Sequence, residues 1–198
     1  PKPFALQAEG GKLCANCHDA KDVTKGAKLV HSPVKDGECM SCHKPHASDH
    51  KKLLASGGVA LCQGCHSQGG KVLVPHKAVT DVGCTSCHQP HAANNKGLLA
   101  DTTQAICARC HGKVAEQKKK KVVHEPFASG DCAACHDPHG SNFKLIARKR
   151  LGDVCFGCHA EAEEKFVKAY THKPVLEGRC ETCHDGHASD QPKLLRAA

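Results

Sequence analysis

Residues 37–48 read GECMSCHKPHAS, and residues 82–93, 130–141 and 178–189 are close copies: VGCTSCHQPHAA, GDCAACHDPHGS and GRCETCHDGHAS. Each copy contains a C-x-x-C pair, a histidine directly after it and a second histidine three residues later. Four more C-x-x-C-H motifs lie outside these copies, so all 16 cysteines of the chain belong to such motifs. The eight motifs consist of Cys14, Cys17 and His18; Cys39, Cys42 and His43; Cys62, Cys65 and His66; Cys84, Cys87 and His88; Cys107, Cys110 and His111; Cys132, Cys135 and His136; Cys155, Cys158 and His159; and Cys180, Cys183 and His184.

C-x-x-C-H is the attachment motif of c-type haem, in which two thioether bonds hold the porphyrin and the adjacent histidine binds the iron. Two other kinds of site use cysteines at related spacings: zinc ribbons with tandem C-x-x-C pairs, and the disulfides of secreted proteins. Neither requires a histidine after every pair. The motifs therefore predict eight covalently bound haem c groups, attached through the 16 cysteines.

The composition argues against an ordinary apolar core. Of 198 residues only 35 are Leu, Ile, Val or Phe, and the chain has no Trp and one Tyr. A charged chain in which these apolar residues make up less than about one fifth rarely folds by side-chain burial alone. We therefore expect haems to organise a mostly irregular fold with short α-helices and little or no β-structure.

A six-coordinate haem iron needs a second axial ligand, usually His or Met. The single methionine, Met40, lies inside a C-x-x-C loop and cannot reach the opposite face of that haem. Nine histidines remain after the motif histidines, and eight of them fall into two classes. Linker histidines precede a motif cysteine by eight residues, and terminal histidines follow a motif histidine by three. The linker histidines are His31, His76, His124 and His172, and the terminal histidines are His46, His91, His139 and His187.

A terminal histidine cannot bind the haem of its own motif. His43 is held beneath that haem by two nearby covalent bonds, and His46, three residues later, cannot travel round the macrocycle. We therefore expect each terminal histidine to bind a different haem, so that each copy joins two haems. Pro45 stiffens this connection in the first copy. The ninth histidine is His50. Because it lies close to His46, either of the two could be the ligand from the first copy.

The motifs alternate between two types. First motifs follow an apolar residue, whereas second motifs follow a glycine and end in a terminal histidine. The alternation predicts an N-terminal segment, 1–10, and four two-haem repeats, 11–58, 59–103, 104–150 and 151–198. Repeats that contact mainly their neighbours build elongated proteins. We expect helices at Val114–Val123 and Ala160–Tyr170, no sheet, and an apolar pair near the end of each repeat that packs on porphyrin.

The net charge of +8 describes the polypeptide alone. Eight haems bring about two propionates each and one positive charge per ferric core, so the oxidised holoprotein is near neutral. A basic protein that binds nucleic acid is therefore not expected. Lys118–Lys121 is predicted to be solvated or to face propionates, with docking of an acidic redox partner as the alternative.

No run approaches the roughly 20 apolar residues of a membrane-spanning helix. The first residues also lack the apolar region of a secretion signal, and we expect that such a signal has been removed.

From Leu13 onward the chain resembles the bacterial and archaeal multihaem c-type cytochromes with doubled C-x-x-C-H motifs. LCQGCH at 61–66 and HKPVLEGRCETCHDGHAS at 172–189 look like the paired repeat of that family. The resemblance implies covalent haem attachment outside the cytoplasm, bis-histidine iron and electron transfer in respiratory chains that reach the periplasm, the outer membrane or the cell exterior. It also implies redox partners, among them other multihaem cytochromes. A periplasmic carrier, a porin-embedded conduit and self-association into a filament all remain open.

Two functions are compatible with these motifs. The first is electron transfer by eight low-spin haems without enzymatic activity, and the lack of methionine ligands predicts low reduction potentials. The alternative is a reductase of a small oxyanion, which requires one iron with an open coordination position. Because eight regularly placed histidines match eight motifs, the sequence favours electron transfer.

We expect the purified protein to contain eight haems per chain, because each of its eight motifs supplies both thioether bonds and an axial imidazole. A pyridine haemochrome assay measures this number, and the visible spectrum reports the spin state, expected to be low-spin. A folded protein whose thiols bind zinc or one another would contradict the prediction.

Overall fold

The computed structural model describes residues 6–67 and 71–197. Its backbone contacts form two units: unit 1 contains residues 6–67 and 77–102, and unit 2 contains residues 71–76 and 103–197. Repeats 1 and 2 therefore lie mainly in unit 1, and repeats 3 and 4 in unit 2. The repeat boundaries themselves stay a prediction.

Short helices occur in every repeat. The α-helices are α1 (Gly11–Cys14), α2 (Ala20–Thr24), α3 (Ser32–Lys35), α4 (Gly58–Gln63), α5 (Thr103–Ala108), α6 (Gly112–Ala115), α7 (Glu125–Ala128), α8 (Leu151–Phe156), α9 (Ala160–Phe166) and α10 (Lys173–Leu176). Single 3₁₀ turns lie at Cys39–Ser41, Lys51–Leu53, Cys84–Ser86, Lys96–Leu98, Glu116–Lys119, Cys132–Ala134, Lys144–Ile146, Cys180–Thr182 and Pro192–Leu194, and one π turn lies at Ala78–Val82. The strands are β1 (Leu29–Val30), β2 (Val74–Pro75), β3 (Ala92–Ala93), β4 (Val122–Val123), β5 (Gly140–Ser141) and β6 (Ala188–Ser189).

The two motif types have different backbones. First motifs continue an α-helix, namely α1, α4, α5 or α8, whereas second motifs begin with a 3₁₀ turn at their first cysteine. In both types the motif histidine donates its N–H to the carbonyl of the first cysteine, as His18 does to Cys14 and His43 to Cys39, both at 2.9 Å. Each motif is thus one hydrogen-bonded turn that fixes two thiols relative to an imidazole.

Glycines bring the two motifs of a repeat into contact. A Cβ on Gly11 in α1 would overlap the carbonyl oxygen of Gly37, which precedes the second motif. In repeat 4 a Cβ on Gly152 would lie 3.0 Å from the Cα of Gly178. Gly37 and Gly178 have φ angles of 73° and 67°, which glycine adopts without steric cost. The first-motif helix therefore packs directly on the backbone before the second motif.

Antiparallel strand pairs join each repeat to the next. β1 pairs with β3, β2 with β5 and β4 with β6. In every pair, a strand that directly precedes a linker histidine lies beside a strand that directly follows a terminal histidine of the next repeat. The strand after the terminal histidine consists of small residues in all three pairs. Ala188 in β6 is 0% exposed. Small residues are needed here because the two backbones approach closely.

Apolar burial is low throughout the described residues. Their buried apolar side chains are Ala93, Ile106, Ala147 and Ala188. The accessible surface is 14927 Å², whereas a compact monomer of 21.0 kDa exposes about 9,000 Å². The polypeptide alone therefore buries too little apolar surface to explain a stable fold, as its composition predicted. Among the described helices, none is both long enough and apolar enough to cross a membrane.

The predicted fold class is confirmed: short helices, mostly irregular backbone and few short strands in tandem repeats of the paired motif. The expectation of no sheet is wrong, because the strands form three two-stranded sheets. The helix expected at Val114–Val123 is partly wrong, because helical turns cover Gly112–Ala115 and Glu116–Lys119 and are followed by β4. Two β-branched valines pair there with repeat 4, and consecutive lysines disfavour a longer helix. The helix expected at Ala160–Tyr170 is shorter and covers Ala160–Phe166. The backbone angles of Val167 are no longer helical.

The lysine run has internal contacts. Lys118 donates to the carbonyl oxygen of Ala128 at 2.7 Å and to the side chain of Gln104 at 2.9 Å. Lys120 donates to the carbonyl of Ala188 at 3.1 Å. These two side chains therefore stabilise the fold of unit 2 rather than only facing solvent.

Substitution of Gly11 by Ala is expected to lower the free energy of local opening in repeat 1 by about 1–3 kcal/mol, because the new methyl group would overlap the Gly37 backbone. Gly112→Ala is the matched control, since nothing lies within 4 Å of the added Cβ. Hydrogen exchange of the amides of α1 in the holoprotein measures the difference. Equal protection in the two variants would contradict the packing.

Candidate haem-binding sites

The first cysteines of the two motifs in a repeat lie side by side. Burial, followed by the neighbouring Cys180 thiol, raises the pKa of Cys155 to about 12. Burial, followed by the Cys14 thiol, likewise raises the pKa of Cys39. The hydrogen-bonded pairs are Cys14 with Cys39, Cys62 with Cys84, and Cys155 with Cys180. In repeat 3, Cys107 and Cys132 line the same concave surface.

Cysteines of consecutive repeats also lie near one another. Burial raises the pKa of Cys62, and after Cys84 the thiol of Cys42 in the preceding repeat adds to the effect. Burial also raises the pKa of Cys135, with Cys158 of the following repeat as the next cause. Within each unit, thiols of consecutive motifs therefore lie near enough to affect one another's pKa, in the order of the sequence. Each unit contains four motifs in such a series.

Disulfides and groups placed to hold a bare metal ion are not seen among the described residues. None of the 16 takes part in a disulfide. Across residues 6–67 and 71–197 there is also no group of three or more His, Cys, Asp or Glu side chains placed to hold a bare metal ion. The thiols stay in pairs along hydrogen-bonded turns, which suits attachment to the edge of a porphyrin.

Imidazole rings pair between neighbouring repeats in one fixed register. A linker histidine faces the first-motif histidine of the next repeat, and a second-motif histidine faces the terminal histidine of the next repeat. The pairs are His31 with His66, His76 with His111, His124 with His159, His43 with His91, and His136 with His187. His88 belongs to unit 1 and His139 to unit 2.

The spacing of the paired rings fits an iron between them. Their centroids are 5.9–6.2 Å apart. Two metal–nitrogen bonds of about 2 Å, with roughly 1.1 Å from each nitrogen to its ring centre, place trans imidazole centroids about 6.2 Å apart. The residues present therefore fit a haem with two histidine ligands, attached through the adjacent thiols.

Second-motif histidines are oriented by a carbonyl nine residues later. The Nδ1 atom of His43 lies 2.9 Å from the carbonyl oxygen of Lys52, and His88, His136 and His184 make the same contact with Gly97, Leu145 and Lys193. A carbonyl only accepts hydrogen bonds, so Nδ1 must carry the proton. Nε2 is then left unprotonated, as a metal ligand requires.

A left-handed turn positions each of these carbonyls. In repeat 3 it consists of Leu145 and Ile146, with φ angles of 61° and 50°. The Leu145 carbonyl accepts from the His136 ring, and the Ile146 carbonyl accepts from the N–H of Asp137 at 2.7 Å. The turn thus clamps the motif histidine from both its ring and its backbone. Non-glycine residues in this conformation cost energy and are typical of functional sites.

Linker histidines are oriented by the next repeat. The Nδ1 atom of His31 lies 2.9 Å from the carbonyl oxygen of Pro90, and its backbone N–H donates to the His91 carbonyl at 2.9 Å. His76 and His124 make the ring contact with Pro138 and Gly186 at 2.7 and 2.9 Å. The residue before a terminal histidine therefore sets the tautomer of a linker histidine.

Burial favours the neutral form of two terminal histidines by lowering their pKa. It lowers the pKa of His91, and the neighbouring His43 ring lowers it further. Burial also lowers the pKa of His187, with His136 as the next cause. A neutral imidazole is the form that binds iron, so both environments favour ligation.

His50 and His46 occupy different positions relative to the repeat. His50 lies directly before the 3₁₀ turn Lys51–Leu53, and the residues that precede the corresponding turns of the other repeats are Asn95, Phe143 and Gln191. His46 corresponds to the terminal histidines of the other repeats. His46 is therefore the residue of repeat 1 that matches the predicted class of terminal histidines, and His50 does not match it. Both side chains are exposed.

Four predicted site residues have no ring partner among the described residues. They are His18, His46, His172 and His184. All four belong to repeat 1 or repeat 4. The ring of His184 is nevertheless oriented by Lys193, like its counterparts.

Sequence reasoning missed the groups that orient the imidazoles. The left-handed turns overlap the apolar pairs that were expected to pack on porphyrin: both residues of the pair have positive φ in repeat 3, and the first residue of the pair has positive φ in the other repeats. A second missed feature is a side-chain acceptor three residues after each terminal histidine. Asn94, Asn142 and Asp190 there accept the backbone N–H groups of Lys28, Leu73 and Lys121 at 3.0, 3.1 and 3.2 Å. Aligning the four copies would have shown this recurring Asn or Asp.

Comparison with known proteins identifies one family. The model of the doubled CXXCH motif matches residues 31–71, 76–116, 124–164 and 172–198. Each matched segment begins at a linker histidine, so the family unit combines the second motif of one repeat with the first motif of the next. The fourth segment contains one motif, and the Cys14 motif precedes the first segment. No curated protein sequence matches the chain.

Removal of one terminal histidine should expose a single iron. His91→Ala is expected to convert one haem in eight from low-spin to high-spin, because the His43 ring loses its counterpart. His50→Ala is the matched control and should leave the spectrum unchanged. Electron paramagnetic resonance of the oxidised proteins quantifies the high-spin fraction. A low-spin His91→Ala protein would contradict the pairing.

Proposed function

Since the chain belongs to the family of proteins with a doubled CXXCH motif and carries eight attachment sites for haem c, we propose that it transfers electrons along a series of bis-histidine haems outside the cytoplasm. The observation that carries this proposal is the closeness of successive attachment motifs. Thiols of neighbouring motifs lie near enough to raise one another's pKa within each unit, both inside a repeat and from one repeat to the next. Such spacing suits a carrier that passes charge between many centres.

Each haem iron, when bound, supplies a one-electron couple between its ferric and ferrous states. The chain holds each haem with two thiols and orients the imidazoles through backbone carbonyls. Imidazoles locked in one tautomer change position little when the charge at the iron changes. The fixed turns and strand pairs therefore favour low reorganisation energy.

Histidine on both faces favours low reduction potentials. Methionine as an axial ligand raises the potential, and the only methionine of the chain, Met40, lies between Cys39 and Cys42. A respiratory role in which electrons pass to other multihaem cytochromes, at the periplasm, outer membrane or cell exterior, is compatible with such potentials. Covalent haem attachment supports a location outside the cytoplasm.

A reductase of a small oxyanion is the second candidate. The rings of His18 and His184 have no partner ring among the described residues, and an iron with one open position is what such an enzyme needs. Nitrite consumption by the reduced holoprotein tests this function. Turnover that disappears when the His18 or His184 site is altered would favour the enzyme over the carrier.

Replacement of a terminal histidine by methionine should raise one potential. His91→Met is expected to shift a single reduction step of the holoprotein upwards, because a thioether stabilises ferrous iron relative to imidazole. Spectroelectrochemical titration of the wild type and the variant measures the shift, and His50→Met is the control. An unshifted titration of His91→Met would contradict ligation by His91.

A further inference from the structure

Two haem sites of this chain are built in the same way. In unit 1 the rings of His43 and His91 face each other with centroids 6.1 Å apart, and in unit 2 the rings of His136 and His187 do so at 6.0 Å. Both pairs join a second-motif histidine to the terminal histidine of the next repeat. We call them the His43 site and the His136 site. Because their ligands and backbone are alike, a difference in redox behaviour is expected to come from the side chains around them.

The residue that follows a second-motif histidine is held in the same way in all four repeats. Its backbone N–H donates to a carbonyl of the left-handed turn that also orients the histidine ring, at 2.7–2.8 Å. The donors and acceptors are Lys44 and Leu53, Gln89 and Leu98, Asp137 and Ile146, and Asp185 and Leu194. We call this residue the clamp residue. Its side chain therefore starts from an equivalent place beside each motif histidine, whatever its charge.

The clamp residues differ in charge between the two sites. At the His43 site they are Lys44, next to the motif histidine, and Gln89, two residues before the terminal histidine. At the His136 site the same two places are occupied by Asp137 and Asp185. The formal charge of the clamp residues is thus +1 at the His43 site and −2 at the His136 site.

The two carboxylates are fixed beside terminal histidines. Oδ1 of Asp137 accepts the backbone N–H of His139 at 3.0 Å, and Oδ1 of Asp185 accepts that of His187 at the same distance. Both side chains are partly buried, with 43% and 23% of their surface exposed. A lysine in this place cannot accept such a hydrogen bond. The negative charges of the His136 site are therefore held against the protein and are not free to turn into solvent.

A further cation lies at the His43 site. The carbonyl that orients the His43 ring belongs to Lys52, whereas the His136 ring is oriented by the carbonyl of Leu145. After burial and the His43 ring, Lys52 is the next cause that lowers the pKa of His91. Lys52 therefore adds to the positive charge that Lys44 brings to this site.

Lys120 offsets part of the negative charge at the His136 site. Its Nζ atom lies 3.8 Å from Oδ2 of Asp185 and donates to the carbonyl of Ala188 at 3.1 Å. One ammonium group faces two carboxylates, so the sum of these three charges is still negative.

Lys118 does not distinguish the two sites. Its Nζ atom lies 5.6 Å from the centroid of the Phe127 ring, and that ring lies 4.9 Å from the ring of His187. Lys118 precedes its linker histidine by six residues, and Lys25 precedes the linker histidine of repeat 1 by the same number. Each site thus has one lysine at this position of the sequence.

We propose that these charges set a difference in reduction potential between two otherwise equivalent sites. Asp137 and Asp185 favour ferric iron at the His136 site, which lowers its potential. Lys44 and Lys52 favour ferrous iron at the His43 site, which raises its potential. One electron that leaves the first site and enters the second oxidises one iron and reduces the other, so the two sites together hold a shared electron mainly at the His43 site. This proposal rests on the proposed function, because it uses the same bis-histidine haems.

The sign follows from the charge that oxidation creates. Loss of an electron adds one positive charge at the iron, which a nearby carboxylate stabilises and a nearby ammonium group destabilises. Solvent and salt screen these partly exposed charges. Each is therefore expected to change the ferrous-to-ferric ratio by at most about tenfold, which corresponds to about 59 mV for a one-electron couple.

Two variants identify the His136 site in a redox titration. Each clamp residue lies near two sites, those of the motif histidine before it and of the terminal histidine after it, and Asp137 and Asp185 share only the His136 site. Asp137→Asn and Asp185→Asn should therefore both raise one common step in a spectroelectrochemical titration of the eight-haem protein. Asparagine keeps an oxygen that accepts the histidine N–H, so the variants remove mainly the charge.

The reciprocal variants identify the His43 site. Lys44→Asp and Gln89→Asp give this site the clamp residues of the His136 site, and both should lower one common step. In the wild type the step identified by these variants should lie above the step identified by the two asparagine variants.

A variant of the same ion pair separates charge from structure. Lys120→Gln breaks the contact with Asp185, as Asp185→Asn does, but it should lower the His136 step where Asp185→Asn raises it. Loss of structure alone would not give opposite signs. Glu164→Gln in α9 removes an exposed carboxylate from the same unit and is the matched control, expected to leave the step in place. High salt should reduce all the shifts.

The outcomes distinguish this proposal from the proposed function. Asparagine variants that move no common step overturn it, and so does a His136 step that lies at or above the His43 step in the wild type. In either case, low-spin signals from the haems would leave bis-histidine ligation intact. High-spin signals from most haems in electron paramagnetic resonance would instead overturn that ligation, and the proposed function with it.

Discussion

A histidine tied beneath a haem by two covalent bonds and a histidine three residues later cannot reach opposite faces of one iron. Because of this constraint, the terminal histidine must serve a site outside its own motif. The ring pairs identify that site: His91 faces His43 and His187 faces His136, each in the preceding repeat. The linker histidines run in the opposite direction, from one repeat to the first motif of the next. Repeats 1 and 2 are consequently joined by two histidines, one in each direction, and so are repeats 3 and 4.

Backbone groups hold this arrangement in place of an apolar core. Two consecutive left-handed residues such as Leu145 and Ile146 cost about 1–2 kcal/mol each. The two hydrogen bonds that they accept contribute about 0.5–1.5 kcal/mol each. These terms nearly cancel, so the turn has little stability of its own. It becomes favourable when the histidine that it orients is also bound to a metal, which makes ligation part of folding.

The motif chemistry, the low apolar content and the two classes of histidine were predictable from the sequence, because each depends on residue identity at a fixed spacing. The partner of each histidine was not predictable. Spacing alone shows that His46 cannot bind the haem attached beside His43, but it does not show which of the other haems His46 binds. Strand pairing was missed for a similar reason. Strands of two residues, such as Val122–Val123, carry no periodicity, and their register is set by the linker histidine beside them. The left-handed turns were missed because Leu and Ile give no sign of positive φ.

The contact between repeats is made largely by main-chain groups: carbonyls at Pro90, Pro138 and Gly186, and the N–H groups of the linker histidines. Repeat 4 has Gly186 where repeats 2 and 3 have proline, and the contact is still made because its acceptor is the peptide oxygen. Such a junction tolerates wide sequence drift at its surface while it continues to fit. The same main-chain contact could form between any two repeats. Duplication or deletion of an entire repeat would therefore still leave neighbouring repeats able to make it. A protein of this architecture can therefore gain or lose haems two at a time. The order of the repeats in the gene, and not specific recognition between repeats, then determines which repeats are neighbours.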